Sequence, residues 1–358
     1  MKKLDWYIIR KFLGTFFFSL SLIMTVSIVW DITEKLEDFI QKHAPLKAIV
    51  FDYYLNFIPY FASLLSPLFV FIAVIYFTAR LANNTEIVAI LCSGVSFWRL
   101  LFPYFISATF LAVVAFIFSG WVIPNSNKVR LEFENTYIFN KFVYNGRNIH
   151  RQISKEEYFY MESFNNQQNS GYRFAFEKIK QGKLKFKLTS DIISWDSVSG
   201  KWKLENYILR EISDSTERLS SGKMLDTTLA FKPSDFTIRL QSIETMDNGE
   251  LDKFIQTELA RGSDNIDFYL VEKYSRFANP FATFILTLIG VSLASRKVRG
   301  GIGLQIVFGL CLSFTYIFLM QLSNTFAFYG GLYPAIAVWI PNIIFSGIAL
   351  FLLRYAPK

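Results

Sequence analysis

Six stretches of this 358-residue chain are long and apolar enough to cross a lipid bilayer: Phe12 to Trp30, Tyr53 to Thr78, Leu100 to Ile123, Phe277 to Ala294, Leu304 to Phe326 and Leu332 to Leu353. None contains an Asp, Glu, Lys or Arg, and about 20 apolar residues suffice for a helix to cover the hydrocarbon core. Lipid offers no water to the backbone, so each segment must satisfy its own peptide groups, which makes it a helix. Pro59, Pro67, Pro103, Pro280, Pro334 and Pro341 fall within these runs; in a bundle they signal kinks or helix starts. With 52% hydrophobic residues, the chain exceeds what a soluble core absorbs, and a lipid-facing surface is the simplest account.

The net charge of +8 would ordinarily raise nucleic-acid binding. Here the basic residues gather at the ends of apolar runs and in a central polar stretch, which reads as topology and implies no nucleic acid. Lys2, Lys3, Arg10 and Lys11 precede the first span, and Arg80 and Arg99 bracket the turn between the second and third. Arg296, Lys297 and Arg299 join the fourth and fifth, and Arg354 and Lys358 follow the sixth. Basic flanks stay cytoplasmic, so both termini are expected inside and the segment from about Asn125 to Asp267 outside. The first apolar run has no small-residue cleavage site behind it and is expected to remain as an anchor.

Between the third and fourth spans the period changes. EEYFYMESF, YRFAFEKI, LKFKLTSDIISW, KWKLENYILREI and LAFKPSDFTIRL alternate apolar and polar residues, with turn signals NNQQNSG, KQGK and DSVSGK between them. Such runs predict an antiparallel all-β domain of sandwich or jelly-roll type. LDKFIQTELARGSDNIDFYLVEKYSRF then reads as helical. The expected architecture is a membrane protein with a bundle of six transmembrane helices and an inserted all-β, jelly-roll-like extracytoplasmic domain. Residues 1–124 carry spans one to three, 125–266 the inserted domain and linkers, and 267–358 spans four to six.

Enzymatic chemistry has no positive support. There is no G-x-x-x-x-G-K-[ST] loop, so any ATP that drives this chain is hydrolysed by another. His43 and His150 lie in no metal-spacing pattern, Cys92 and Cys311 sit in or beside spans, and neither a metal nor another cofactor is expected. Proton- and ion-coupled carriers keep ionisable groups at mid-membrane depth, which disfavours a secondary transporter of a small solute. The strongest polar groups within the spans, Gln305, Gln321 and Asn324, suit interhelical hydrogen bonds. A wall of apolar and aromatic side chains suits a lipidic substrate.

Two polar segments remain. In ARLANNTEIVAILCSGVSFWRL, Asn83 or Asn84 can cap a short helix over about 83–93, Glu86 favours its positive end and Gly94 supplies a stop. The plain reading is a capped connector with Glu86 closing a capping box on Asn83; the functional one is a docking helix. In DITEKLEDFIQKH, Ile32, Leu36, Phe39 and Ile40 recur at helical spacing, as in a solvated extension of the first span. Lys35 has the sign to meet a phosphorylated headgroup.

The order of spans, the NNTEIVAILCSGVS connector, the NPFATFILTLIGVSLASRKVRGG turn and the YPAIAVWIPNIIF start of span six resemble the LptF/LptG permeases, formerly the YjgP/YjgQ family, over nearly the whole chain. The resemblance implies a heterodimer of two such permeases above the cytoplasmic ATPase LptB. That assembly extracts lipopolysaccharide from the inner membrane and passes it to periplasmic LptC and LptA through β-jelly rolls. It also implies that the family's coupling-helix acidic residue is Glu86, within a contact of Asn84, Glu86, Ile87, Ala89 and Gly94. One departure stands out: LptG-type members commonly carry a basic residue near the end of span one, where this chain has Asp31, with Lys35 one turn later. The lean is to LptG. A membrane-anchored envelope scaffold is the remaining alternative.

Overall fold

The computed structural model describes residues 2–138, 147–166, 168–213, 216–229, 231–233, 240–263, 265–296 and 301–356. Lys3–Gln41 forms α1, one uninterrupted helix that carries the first span and its charged extension. Leu46–Ala48, α2, runs through a wide π-helical segment, Ile49–Tyr54, into α3, Leu55–Asn83. Glu86–Cys92, α4, precedes α5, Phe97–Ile117, which passes through a second π segment, Phe118–Val122, into α6, Ile123–Tyr137. After the inserted strands come α7, Asn248–Ala260, α8, Ile266–Ala294, α9, Gly301–Tyr329, and α10, Pro334–Arg354. Among the described residues, six helical segments are long and apolar enough to span a membrane. The helical run expected over 251–277 is broken where Gly262, at φ +64°, ends α7. The Gly262 N–H donates to Leu259 O and the Ser263 N–H to Glu258 O, which satisfies the last carbonyls. Lys297, Arg299 and Lys358 lie outside the described residues.

The chain divides into two compact units. Residues 1–138, 244–251 and 267–358 make the helical one. Its first core joins α1, α3 and α5 through Ile8, Phe12, Phe77, Leu100 and Tyr104. A second joins α3 to α8, α9 and α10 through Phe71, Ile75, Leu286, Tyr316 and Phe345. A Cβ on Gly290 would stand 2.7 Å from Val74 Cγ1, so the absence of a side chain lets α8 approach α3 closely. Asn342, not singled out by composition, ties three helices: Tyr316 Oη donates to its Oδ1 at 2.9 Å, and its Nδ2 donates to Ala278 O at 3.0 Å. Gln305 Nε2 donates to Arg296 O at 2.8 Å, whereas Gln321 is exposed. α6, grouped by composition with the inserted segment, packs in the helical unit, where Phe133 meets Phe39 and Tyr53.

Residues 139–243 and 252–266 make the second unit. Its sheet comprises β1, Arg147–Ser154, β2, Glu157–Asn165, β3, Ser170–Lys180, β4, Lys183–Asp196, β5, Lys201–Ile212, and β6, Glu217–Thr227, paired in sequential order and antiparallel throughout. The described strands therefore form a meander of successive hairpins. β2 to β5 coincide with four of the expected alternating runs. In the fifth, LAFKPSDFTIRL, the described ends 229 and 231–233 form no strand, and 230 and 234–239 lie outside the described residues. The inward face stacks Phe159, Phe176, Leu188 and Leu209 in register across four strands. Gly171 sits opposite Phe164 and Ile193, where a Cβ would collide with Met161 Sδ.

The β4–β5 turn is closed by Asp196. Its Oδ1 accepts from Val198 N at 2.9 Å, and its Oδ2 accepts from Ser199 Oγ at 3.0 Å and from Lys203 Nζ at 2.8 Å. Lys203 first, then the turn hydrogen bonds, hold the Asp196 carboxyl well below the usual carboxylate range. A carboxyl lowered in the folded state contributes stability above its unfolded pKa and loses it as pH falls through the folded value. Melting followed below about pH 4 should therefore decline less steeply in Asp196→Asn than in the parent chain.

Candidate functional site

α4 is short because its ends are fixed by backbone geometry. Thr85 occupies the N-cap position at φ +62°, a left-handed conformation that a β-branched residue seldom takes, and Gly94 at φ +83° ends the turn that follows. The expected capping box on Asn83 is not what forms, because Asn83 is the last residue of α3. Instead Asn84 Nδ2 donates to Glu86 Oε1 at 3.2 Å, and Tyr7 Oη donates to Glu86 Oε2 at 3.4 Å.

The helix is rooted on one side and open on the other. Ile87 is 1% exposed and sits in the core shared by α1, α3 and α5, with Ile90 and Leu91 packed beside it. Asn84, Val88, Ala89, Cys92 and Gly94 are exposed and Glu86 is half-buried. The neighbourhood is braced by Asp5, whose carboxylate accepts from Arg99 Nη2 at 2.7 Å and from Lys2 N at 2.7 Å. This ties the start of α1 to the start of α5 on either side of α4. Tyr7 and Asp5 escaped the sequence reading because they lie 79 residues from Glu86 and 94 from Arg99.

Asp31 and Lys35 come together, but as an internal pair. Lys35 Nζ is 2.8 Å from Asp31 Oδ1 and also donates to Tyr53 Oη. Tyr53 Oη and Tyr54 Oη in turn donate to Asp31 Oδ1 and Oδ2 at 3.2 and 3.1 Å. Asp31 is 8% exposed, whereas Ile32, Leu36 and Ile40 of the same extension are 37, 49 and 64% exposed. The α1 extension thus turns its charged pair and Phe39 inward and most of its apolar stripe outward, the reverse of an amphipathic helix on a water-soluble core. Tyr7 and Asp31 share one straight-chain helix, roughly 36 Å apart at 1.5 Å per residue. Of the histidines, His43 is exposed at the turn after α1 and His150 lies on β1 against the ring of Tyr160.

This arrangement has no nucleophile with an adjacent base. It offers a rooted helix that presents a carboxylate at one end of α1 and a sealed ion pair at the other. The sequence matches the model of the family described as "Lipopolysaccharide export system permease LptF/LptG" over residues 6–355. No curated protein matches the chain.

Proposed function

The chain belongs to the LptF/LptG family of lipopolysaccharide export permeases, and from that premise we propose that it is one transmembrane half of an ATP-driven extractor of lipopolysaccharide. In this reading the chain pairs with a paralogous six-span permease above the cytoplasmic ATPase LptB. Both termini and α4 face the cytoplasm, and the β unit faces the periplasm and hands lipid to LptC and LptA. The basic flanks of the spans support that orientation in the inner membrane.

The observation that carries the reading is α4 itself. With Ile87 sunk in the bundle core and Glu86, Val88 and Ala89 turned outward, a push on the outer face moves α1, α3 and α5 as a body. Asn84 steadies the Glu86 carboxylate and Gly94 lets the chain reverse into α5. A groove on the ATPase would receive Glu86. Lys35 is proposed to meet a phosphorylated headgroup only on leaving Asp31, since its ammonium is otherwise spent on Asp31 and Tyr53.

Purification of the tagged full chain in mild detergent tests the assembly. An ATPase and a second six-span chain should come down together in stable proportion. A chain that purifies alone, and whose transport persists without an ATPase and follows a proton gradient, would replace this reading with a secondary transporter. If the β unit alone restores function to cells that lack the protein, it is a scaffold.

A further inference from the structure

A groove of about 590 Å³ runs along α10, between α5 and α8 of the helical unit. Phe105, Phe281, Phe284, Trp339, Gly347 and Leu350 line it. It shares no residue with α4 or with the Asp31–Lys35 pair, and neither proposed role of the chain uses it.

The lining is apolar by disposition as well as by composition. Asn342 sits in the wall, but its amide is spent inside the bundle on Tyr316 and Ala278. The lining side chains then offer only the Ser346 hydroxyl and the Trp339 indole N–H. That is too little for a sugar, a nucleotide or a peptide backbone, whose polar groups would go unpaired at this depth. At one end the rings of Phe281 and Trp339 meet 5.2 Å apart and close the groove. Gly347 leaves its middle free, since a Cβ there would meet nothing within 4 Å. Ile343 and Leu350 are each 64% exposed, so the groove is open sideways to lipid.

Length and charge select the occupant. The stretch from Trp339 to Leu350 rises about 16 Å at 1.5 Å per residue, close to the ~15 Å of hydrocarbon in one leaflet. One turn after Leu350, on the same stripe of α10, stands Arg354, exposed and without an ion-pair partner among the described residues. Arg99, which lies over the ring of Phe102 one turn before Phe105, is by contrast spent on Asp5. A free cation at the mouth of an apolar slot between membrane helices suits a lipid phosphate. A partner helix is disfavoured, because membrane helices approach closely where both present small residues. Here Phe105, Phe281, Phe284 and Trp339 hold a second backbone away from Gly347, while a single flexible chain passes between them.

We propose that this groove binds one acyl chain of a glycerophospholipid, with the phosphate of that lipid on Arg354. On the orientation proposed above, the lipid belongs to the cytoplasmic leaflet and is a resident of the bundle, distinct from its cargo. Bound there, it fills the space between α5, α8 and α10.

The test is native mass spectrometry of the full chain in mild detergent, delipidated and then titrated with phosphatidylglycerol. One phospholipid per chain should bind saturably. Gly347→Leu, whose side chain enters the groove, should raise the half-saturating concentration at least tenfold. Arg354→Gln should raise it several-fold and carries the test if Gly347→Leu does not fold. No saturable phospholipid, equal binding in the parent and both variants, or displacement by an equimolar amount of lipopolysaccharide would overturn the assignment. So would a second membrane protein that Gly347→Leu releases while phospholipid binding stays unchanged. All of these are read without an ATPase and without transport, so this site and the export reading stand or fall separately.

Discussion

Glu86→Lys is expected to cut lipid release per ATP hydrolysed at least tenfold in a reconstituted complex while leaving the melting point of the chain within a degree or so of the parent. The second half of that expectation follows from the site. Glu86 is half-buried, and its partners are the exposed Asn84 amide at 3.2 Å and the Tyr7 hydroxyl at 3.4 Å. Hydrogen bonds of that length on a wet surface contribute a few tenths of a kcal/mol, of the order of ~0.5. α4 keeps its place through Ile87, which the substitution does not touch.

The first half follows from what a carboxylate does at an interface. Truncating one partner of a desolvated charge pair typically costs about 2–5 kcal/mol, and reversal adds repulsion. Glu86→Gln should therefore fall between parent and Glu86→Lys, since it keeps the shape and loses the charge. Tyr7→Phe should do little beyond loosening the orientation of the carboxylate. Unchanged lipid release in Glu86→Lys would sink the coupling role of α4, though not membership of the family.

The spans were legible because hydrocarbon imposes one demand, a long apolar run, and the structure forms a long helix on each of the six, the last starting at Pro334, two residues after the expected Leu332. The connector was legible because Gly94 and the polar Asn83–Asn84 pair interrupt that pattern; which residue occupies the N-cap position was not, since the left-handed turn falls on Thr85. β1 and β6 were missed for a physical reason. They are the two edges of the sheet, where a strand buries less and tolerates polar residues such as those of RNIHRQIS and ERLSSGKMLDT. The Asp31–Lys35 pair was visible as an i, i+4 spacing, but its burial against Tyr53 and Tyr54 depends on α1 and the first π segment folding together, and no local pattern encodes it. Contacts such as Asp5–Arg99 are long-range products of packing, and a single sequence carries no trace of them.

The stability of the β unit offers the other large effect, at Trp202. Its side chain is fully buried, packs edge-on against Trp195 with ring centres 5.1 Å apart, and meets Phe231 at 5.2 Å. Its Nε1 donates to the Phe231 carbonyl at 2.9 Å. Trp202→Ala should destabilise the unit by about 3–5 kcal/mol, the range for emptying an aromatic site in a core. Trp202→Phe separates the two contributions: it keeps most of the apolar contact and removes the indole hydrogen bond to the Phe231 carbonyl, a loss of about 1–3 kcal/mol. Amide exchange of β4 and β5 in the full chain reads both, with protection in Trp202→Ala falling by roughly a hundredfold or more at 1.4 kcal/mol per tenfold. Amides of the membrane helices should keep theirs, because every apolar neighbour of Trp202 in its core belongs to the β unit. An alanine variant with undiminished protection at β4 and β5 would mean that this ring is not what holds the sheet closed over its core.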